Sequence, residues 1–244
     1  MKANNKPVRS LGLVLLFAGA LLGMALFGGF TWADLESFFY FGNGIKGDTK
    51  ISLNCPLIMT PADLNPMVST VIKNSTGDPD QVLTQIDISN IMLVRSAKNL
   101  LHIPAHQDQP LHWGLTGEDV VFGHLVLAHF LQYRSASLPS ADGSCGTFYL
   151  KLGGLTGLQT LILALCGTLL GLGSGLGLWA ANSQPLEGRR REQFMGLLLL
   201  AGAVGLGILF GVLGLWGLGI ALFALCTLLV FIMIGSAIMG TSRQ

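Results

Sequence analysis

Apolar and polar positions alternate along this chain in two different textures. No Asp, Glu, Lys or Arg lies between Ser10 and Ala33, between Leu152 and Asn182, or from Phe194 to Ser242. The rest is short, mixed and broken by turn residues. A membrane-crossing helix needs about 20 apolar residues in a row. Residues 11–33 and 154–181 each predict one such helix. A single helix from Phe194 to Gly240 would run about 70 Å at about 1.5 Å per residue, more than twice the hydrocarbon thickness. That stretch therefore predicts two helices, 194–213 and 220–240, joined by a tight outer turn at 214–219, "GLWGLG". Glycine tolerates turn dihedrals, and a tryptophan such as Trp216 suits a membrane interface.

The polar stretch 34–153 has another rhythm. It holds seven of the nine prolines, with turn clusters "NSTGDPD" and "SADGS". Between them lie strand-like runs at 51–55, 67–74, 81–90, 99–105, 109–115, 124–134 and 146–152. In one of these, Val82, Thr84, Ile86 and Ile88 fall on one face and Leu83, Gln85 and Asp87 on the other, the period of two that a half-buried strand requires. Recurrent prolines argue against helix. Short strands with frequent turns predict an antiparallel β-sandwich. "VIKNSTGDPDQVLTQIDISN" reads as strand, polar turn, strand, and "HIPAHQDQPLHW" as strand, proline-led turn, strand. In this the segment resembles the immunoglobulin-like domains of many cell-surface and exported proteins. The resemblance covers roughly residues 51–152 and implies a sandwich fold of that type. The fold class expected is α+β: four transmembrane helices and one immunoglobulin-like sandwich.

Charge sets the orientation. Lys2, Lys6 and Arg9 lie in the N-terminal stretch 1–10, Arg189, Arg190 and Arg191 in the basic loop 182–193, and Arg243 in the C-terminal stretch 241–244. Basic flanks mark the cytoplasmic side, so both termini and the arginine loop are expected inside and residues 34–153 outside. The first apolar stretch also reads as a signal peptide with a poor cleavage site at Thr31-x-Ala33, which would leave three spans and the same exported domain. Composition agrees with a bilayer as environment. The chain is 51% hydrophobic and 11% charged, with mean hydropathy +0.61, against about 25% charged in soluble domains. A net charge of +1 gives no electrostatic case for nucleic acid.

Candidate chemistry is sparse. Cys166 and Cys226 lie inside spans, and Cys55 and Cys145 are the pair left outside, where disulfides persist. A bridge between these two is expected, tying the start of the β region to the residue before its last strand. The other reading is two reduced, buried thiols. His102, His106 and His112 are the first residues to test for a metal, although a proline separates the first two and rules out helical spacing. Asp78, Asp80, Glu118 and Asp119 read as solvated turn residues. Asn74-Ser75-Thr76 is a glycosylation sequon expected to face outward. No HExxH, GxSxG, Walker A or paired CxxC occurs, and no cofactor is predicted. Ionisable groups are absent from the span cores, where coupled carriers place them; Gln159 is the most polar residue near a span's outer end. The spans do carry glycines four apart, including Gly167, Gly171 and Gly175, Gly173 and Gly177, and Gly207 and Gly211, a spacing that lets helices approach closely. The aromatic run "SFFYF" at 37–41 reads as an interfacial anchor.

These observations predict a non-enzymatic multi-pass membrane protein, an accessory or assembly subunit whose partners are lipid and other membrane subunits or itself. A surface receptor or adhesin for a soluble ligand is the second reading, a metal-handling protein using the histidines the third. A transporter fits least. In outline, four spans with a β-rich first outer loop resemble claudin-like proteins. That family's Trp…Gly-Leu-Trp…Cys…Cys loop pattern is absent, so no residue roles carry over.

Overall fold

The structure, a computed structural model, describes residues 6–42, 47–91, 94–183 and 188–241. Lys2, Arg243 and Pro185 lie outside the described residues. The chain divides into a helical unit, residues 1–31 and 161–244, and a β-rich unit, residues 32–160.

Among the described residues, four helices are long and apolar enough to cross a membrane: α1 (Lys6–Tyr40), α2 (Gly157–Ala181), α3 (Arg189–Val212) and α4 (Trp216–Thr241). Three boundaries differ from expectation. First, α1 does not stop at residue 33. It runs on through "DLESFFY", which contains no glycine or proline, so its last turns are part of the β-rich unit and "SFFYF" is helical up to Tyr40. Second, the turn between α3 and α4 is Leu213–Leu215, because α4 already begins at Trp216. Gly214 alone takes the left-handed conformation there, with φ 68°. Its N–H donates to Gly211 O at 3.2 Å and that of Leu215 to Phe210 O at 2.9 Å, the paired bonds of a glycine-terminated helix end. Third, Arg189, Arg190 and Arg191 form the first turn of α3 instead of a loop.

In the helical unit α1 is the central element. Two of its glycines meet backbone: a Cβ on Gly19 would lie 2.7 Å from Leu172 N, and one on Gly12 2.9 Å from Trp179 N. Gly171 and Gly175 return the contact, 2.8 Å from Gly19 Cα and 2.6 Å from Leu16 N. Gly207 and Gly211 of α3 receive Phe27 of α1, and Gly167 faces Leu22. The predicted close approach is thus made within this chain. Gly173 and Gly177 differ: nothing lies within 4 Å of a Cβ at either. Phe27 also meets Phe223 edge-on at 5.8 Å, and Trp179 stacks on Phe194 at 5.9 Å.

The described residues of the β-rich unit form nine strands: β1 (Thr49–Lys50), β2 (Leu53–Asn54), β3 (Ile58–Met59), β4 (Met67–Lys73), β5 (Asp80–Ile88), β6 (Arg95–Ile103), β7 (Asp108–Gly114), β8 (Leu125–Gln132) and β9 (Ala141–Tyr149). One sheet runs β1-β9-β8-β5-β6, with β3 also on β9; the other runs β2-β4-β7. The long pairings are antiparallel, but β1 and β3 pair with β9 in parallel, so the sheets are not wholly antiparallel as expected. The run at 51–55 supplies only β2. The two sheets share one apolar core that includes Val68, Ile72, Val82, Ile86, Phe130 and Cys145. The alternation read in 82–88 holds: Val82, Thr84, Ile86 and Ile88 are buried. Trp113 packs on Phe130 across this core at 5.5 Å.

Two strands are displaced from expectation for opposite reasons. β6 ends at Ile103 because Pro104 has no N–H to give; its start is exposed at an edge and carries no apolar period. β9, "ADGSCGTFY", reads as turn but is a strand. Its glycines admit other backbone, since a Cβ on Gly143 would lie 2.3 Å from Ile51 O and one on Gly146 2.1 Å from Ala33 O. Cys145 therefore sits inside the last strand, not before it. It is bridged to Cys55, with Cα atoms 6.0 Å apart across 90 residues of sequence.

Three polar residues read as solvated turn features are buried. The Asn74 side chain, 1% exposed, donates to the carbonyls of Asp78, Ile103 and Pro104 at 3.0, 3.2 and 3.2 Å. Its Oδ1 accepts from the Thr76 N–H and hydroxyl. The sequon thus faces inward. Asp119 is 0% exposed and accepts two bonds from the Arg95 guanidinium, at 3.2 and 2.9 Å. Asp80 accepts from the hydroxyls of Ser135 and Ser137 and from the Ser137 and Gln81 N–H groups. These donors hold its carboxyl at about 2, below its ordinary 3.8. Asp78 and Glu118 are exposed.

Candidate interaction surface

The last turns of α1 lie along the outer face of β8 and β9. Ala33 packs with Leu125 and Leu127. Asp34 Oδ1 accepts from the Gly146 N–H at 3.0 Å, and the Ser37 hydroxyl donates to Ala128 O at 3.0 Å. Phe41, just past the helix, stacks on His129 with centroids 5.5 Å apart. All eight residues of β8 are consequently buried: even positions face the core and odd ones face the helix. Burial pushes the His129 imidazole below its ordinary value of 6.5, partly opposed by Asp142 and Asp87.

Beside this helix end the chain opens into a groove of about 700 Å³. Tyr40, Ile91, Val94, Val120, Phe122 and Tyr149 line it, and Lys151 supplies a cation. Its margin is apolar and exposed, with Phe122 at 61% and Ile91 at 70%. Phe122 carries φ 53°, a conformation that side chains bulkier than Asn rarely adopt and that costs about 1–2 kcal/mol. The tight turn enforces it: Val121 and Leu125 exchange two backbone bonds, at 2.7 and 3.0 Å, around Phe122 and Gly123. The ring meets Tyr40 edge-on at 6.3 Å. An aromatic residue is thus held out at the tip of a strained turn, next to an apolar groove. Backbone strain of this kind gathers where a side chain has a task beyond packing. Large exposed apolar patches mark places that something else covers.

The residues singled out in the sequence fall elsewhere. His102 is exposed on β6, His112 is exposed on β7 in the other sheet, and His106 lies in the turn between them with φ 55°. They do not converge, and among the described residues no group of three His, Cys, Asp or Glu side chains is placed to hold a metal ion. Gln159 accepts from the Thr156 N–H at 3.0 Å, closing the start of α2. Phe122 and Ile91 gave no signal in the sequence beyond being large apolar residues in turn-like stretches.

No protein-family model matches the chain, and no curated protein does. Among solved structures, a cycloisomaltooligosaccharide glucanotransferase of Paenibacillus sp. aligns over 41% of this chain and 14% of its own, at 14% identity and TM-score 0.31. A Bacteroides uniformis beta-glucuronidase aligns over 41% and 13%, at 10% identity and TM-score 0.31. The chain spans about one seventh of the length of either, and neither likeness bears on function.

Proposed function

We propose that this chain is a non-enzymatic multi-pass membrane protein, an accessory or assembly subunit that offers an exported immunoglobulin-like sandwich to a protein partner. The four apolar helices serve as spans. The basic residues flanking them support cytoplasmic termini, with residues 34–153 on the far side. The observation that carries the reading is the apolar groove at Phe122, where an exposed ring is kept in a costly backbone conformation.

Phe122→Asn separates presentation from folding. Asparagine tolerates positive φ, so the variant relieves strain while removing the ring. Mild-detergent purification of tagged full-length protein from its host, with mass spectrometry of what accompanies it, reads the effect. Folding is preserved and a membrane-protein companion is lost from Phe122→Asn and from Ile91→Asp. Companions retained in full by both variants would refute the assignment of this groove.

A further inference from the structure

Among the described residues of the β-rich unit, the most exposed large apolar side chain is Leu64, at 93%. It stands in the loop 61–65 between β3 and β4 and has no place in the core. That loop is fastened to the first turn of α2. Both Asp63 carboxylate oxygens accept from the Gly157 N–H, at 3.1 and 3.0 Å. The same carboxylate accepts from the Thr60 N–H at 2.7 Å, and the Thr60 hydroxyl donates to Leu155 O at 2.7 Å. The fit is close enough that a Cβ on Gly157 would lie 2.0 Å from Ile58 O. Leu64 follows the Asp63 that is bonded to Gly157, and Gly157 lies in sequence between Leu155 and Leu158, themselves 37% and 65% exposed, where a helix of spanning length begins.

We propose that loop 61–65 seats in the interfacial layer of the outer leaflet, with Leu64 as its apolar tip and lipid as its occupant. The inference rests on the reading of α2 as a span. Its argument is continuity. The exposed leucines of the helix's first turn must meet lipid where α2 enters the bilayer, and Asp63 fixes the loop to that same turn. The Ala62 and Asp63 N–H groups are bonded to Thr60, and the Asp63 carboxylate to Thr60 and Gly157; the exposed Asn65 can keep its water in the hydrated interfacial layer while the Leu64 side chain enters the apolar edge. Asp63 acts here as a positioning residue: it satisfies the N–H of Gly157, which has no partner within the helix, and at once sets the depth of the loop.

Site-directed fluorescence tests this with full-length protein in lipid nanodiscs. Cys166→Ala and Cys226→Ala leave the bridge of Cys55 and Cys145 as the remaining sulfur pair. An environment-sensitive dye is attached at Leu64→Cys, at Leu163→Cys on the exposed face of α2, or at Ser75→Cys in a distant exposed turn. Lipids carrying a nitroxide at the headgroup, at a shallow acyl position or at a deep acyl position then quench by depth. The expected result is blue-shifted emission at 64 lost most strongly to the shallow nitroxide, loss at 163 to the deep one, and none at 75. Water-like, unquenched emission at 64 overturns the inference whatever happens at 163. Unquenched emission at 163 overturns the span on which it rests.

Discussion

Replacing Asn74 by Ala tests whether the turn after β4 is held from within. The two N–H groups of its amide are shared among three carbonyls, and its oxygen takes two further bonds from Thr76. Each intramolecular bond contributes about 0.5–1.5 kcal/mol net, and a buried acceptor left dry costs about 1–3 kcal/mol. The carbonyls of Asp78 and Pro104 lie near solvent and can recover water; that of Ile103, in a bond buried at both ends, cannot. With one stranded carbonyl and two lost local bonds, Asn74→Ala should destabilise the β-rich unit by about 3 kcal/mol. In a domain of this size that lowers Tm by roughly 6–12 °C.

Thermal unfolding of full-length protein in detergent measures the shift. Hydrogen exchange at Ile103 and Thr76 locates it. Asn74→Asp keeps the acceptor for Thr76 but turns a charge toward carbonyl oxygens, so it should be at least as harmful as alanine. In a glycosylating host, any chain modified at Asn74 would have to expel this side chain from its site. A Tm for Asn74→Ala within 2 °C of wild type, roughly the effect of a half-kcal surface change, would show that the inward bonds do not hold the turn.

Removing the bridge as Cys55→Ser with Cys145→Ser should cost up to about 4–5 kcal/mol, the loop-entropy value for a 90-residue separation. Denaturation with and without reductant reads this, and reductant should leave the double variant unchanged. Gly171→Leu forces a side chain against the backbone of Gly19 and should destabilise the helical unit by about 1–3 kcal/mol or more, while Gly173→Leu, which meets nothing, should be neutral in the same detergent-melting assay. Acidification should act in two windows. His129 has a depressed folded value, so the unfolded chain binds protons first and stability falls as pH drops below about 6.5. Asp80 is depressed too, so its contribution, present above about 4, is lost as pH falls from 3.8 towards 2. His129→Gln should flatten the first window and Asp80→Asn the second.

The sequence was most legible where one physical demand dominated. A helix in lipid must satisfy its own backbone and be apolar on every side, so four helices could be counted from run lengths alone. β5 has one face in the core and one facing out, and its alternation was plain. Legibility failed where a segment answers to two neighbours. β8 is covered on both faces and so loses the alternation; β9 must admit two passing backbones and so consists of small residues that look like a turn. α1 was cut short because Asp34, Glu36 and Ser37 look like an exit from the membrane, whereas Asp34 and Ser37 are the polar contacts that dock the helix on the sheet. The disulfide could be read by elimination. Asn74 could not be told from a sequon, because nothing in three residues says which way an amide points. The groove at Phe122 had no sequence signature, since strain is a property of backbone angles.

The end of α1 changes what the β-rich unit is. Residues 33–41 supply one wall of β8 and β9, covering Leu125, Leu127, His129 and Phe148. A fragment starting at residue 47 keeps every strand and the bridge, yet exposes the outer face of its two most buried strands. It also loses Tyr40 and with it one side of the groove. Any ligand found to bind such a fragment could be occupying the uncovered sheet in place of the helix. The unit that keeps both this sheet face and the groove intact is therefore 32–160, in which the start of α2 and the end of α1 are structural members. The groove at Phe122 is built partly from Tyr40, the residue where α1 ends, so the α1 terminus and the groove cannot be altered independently.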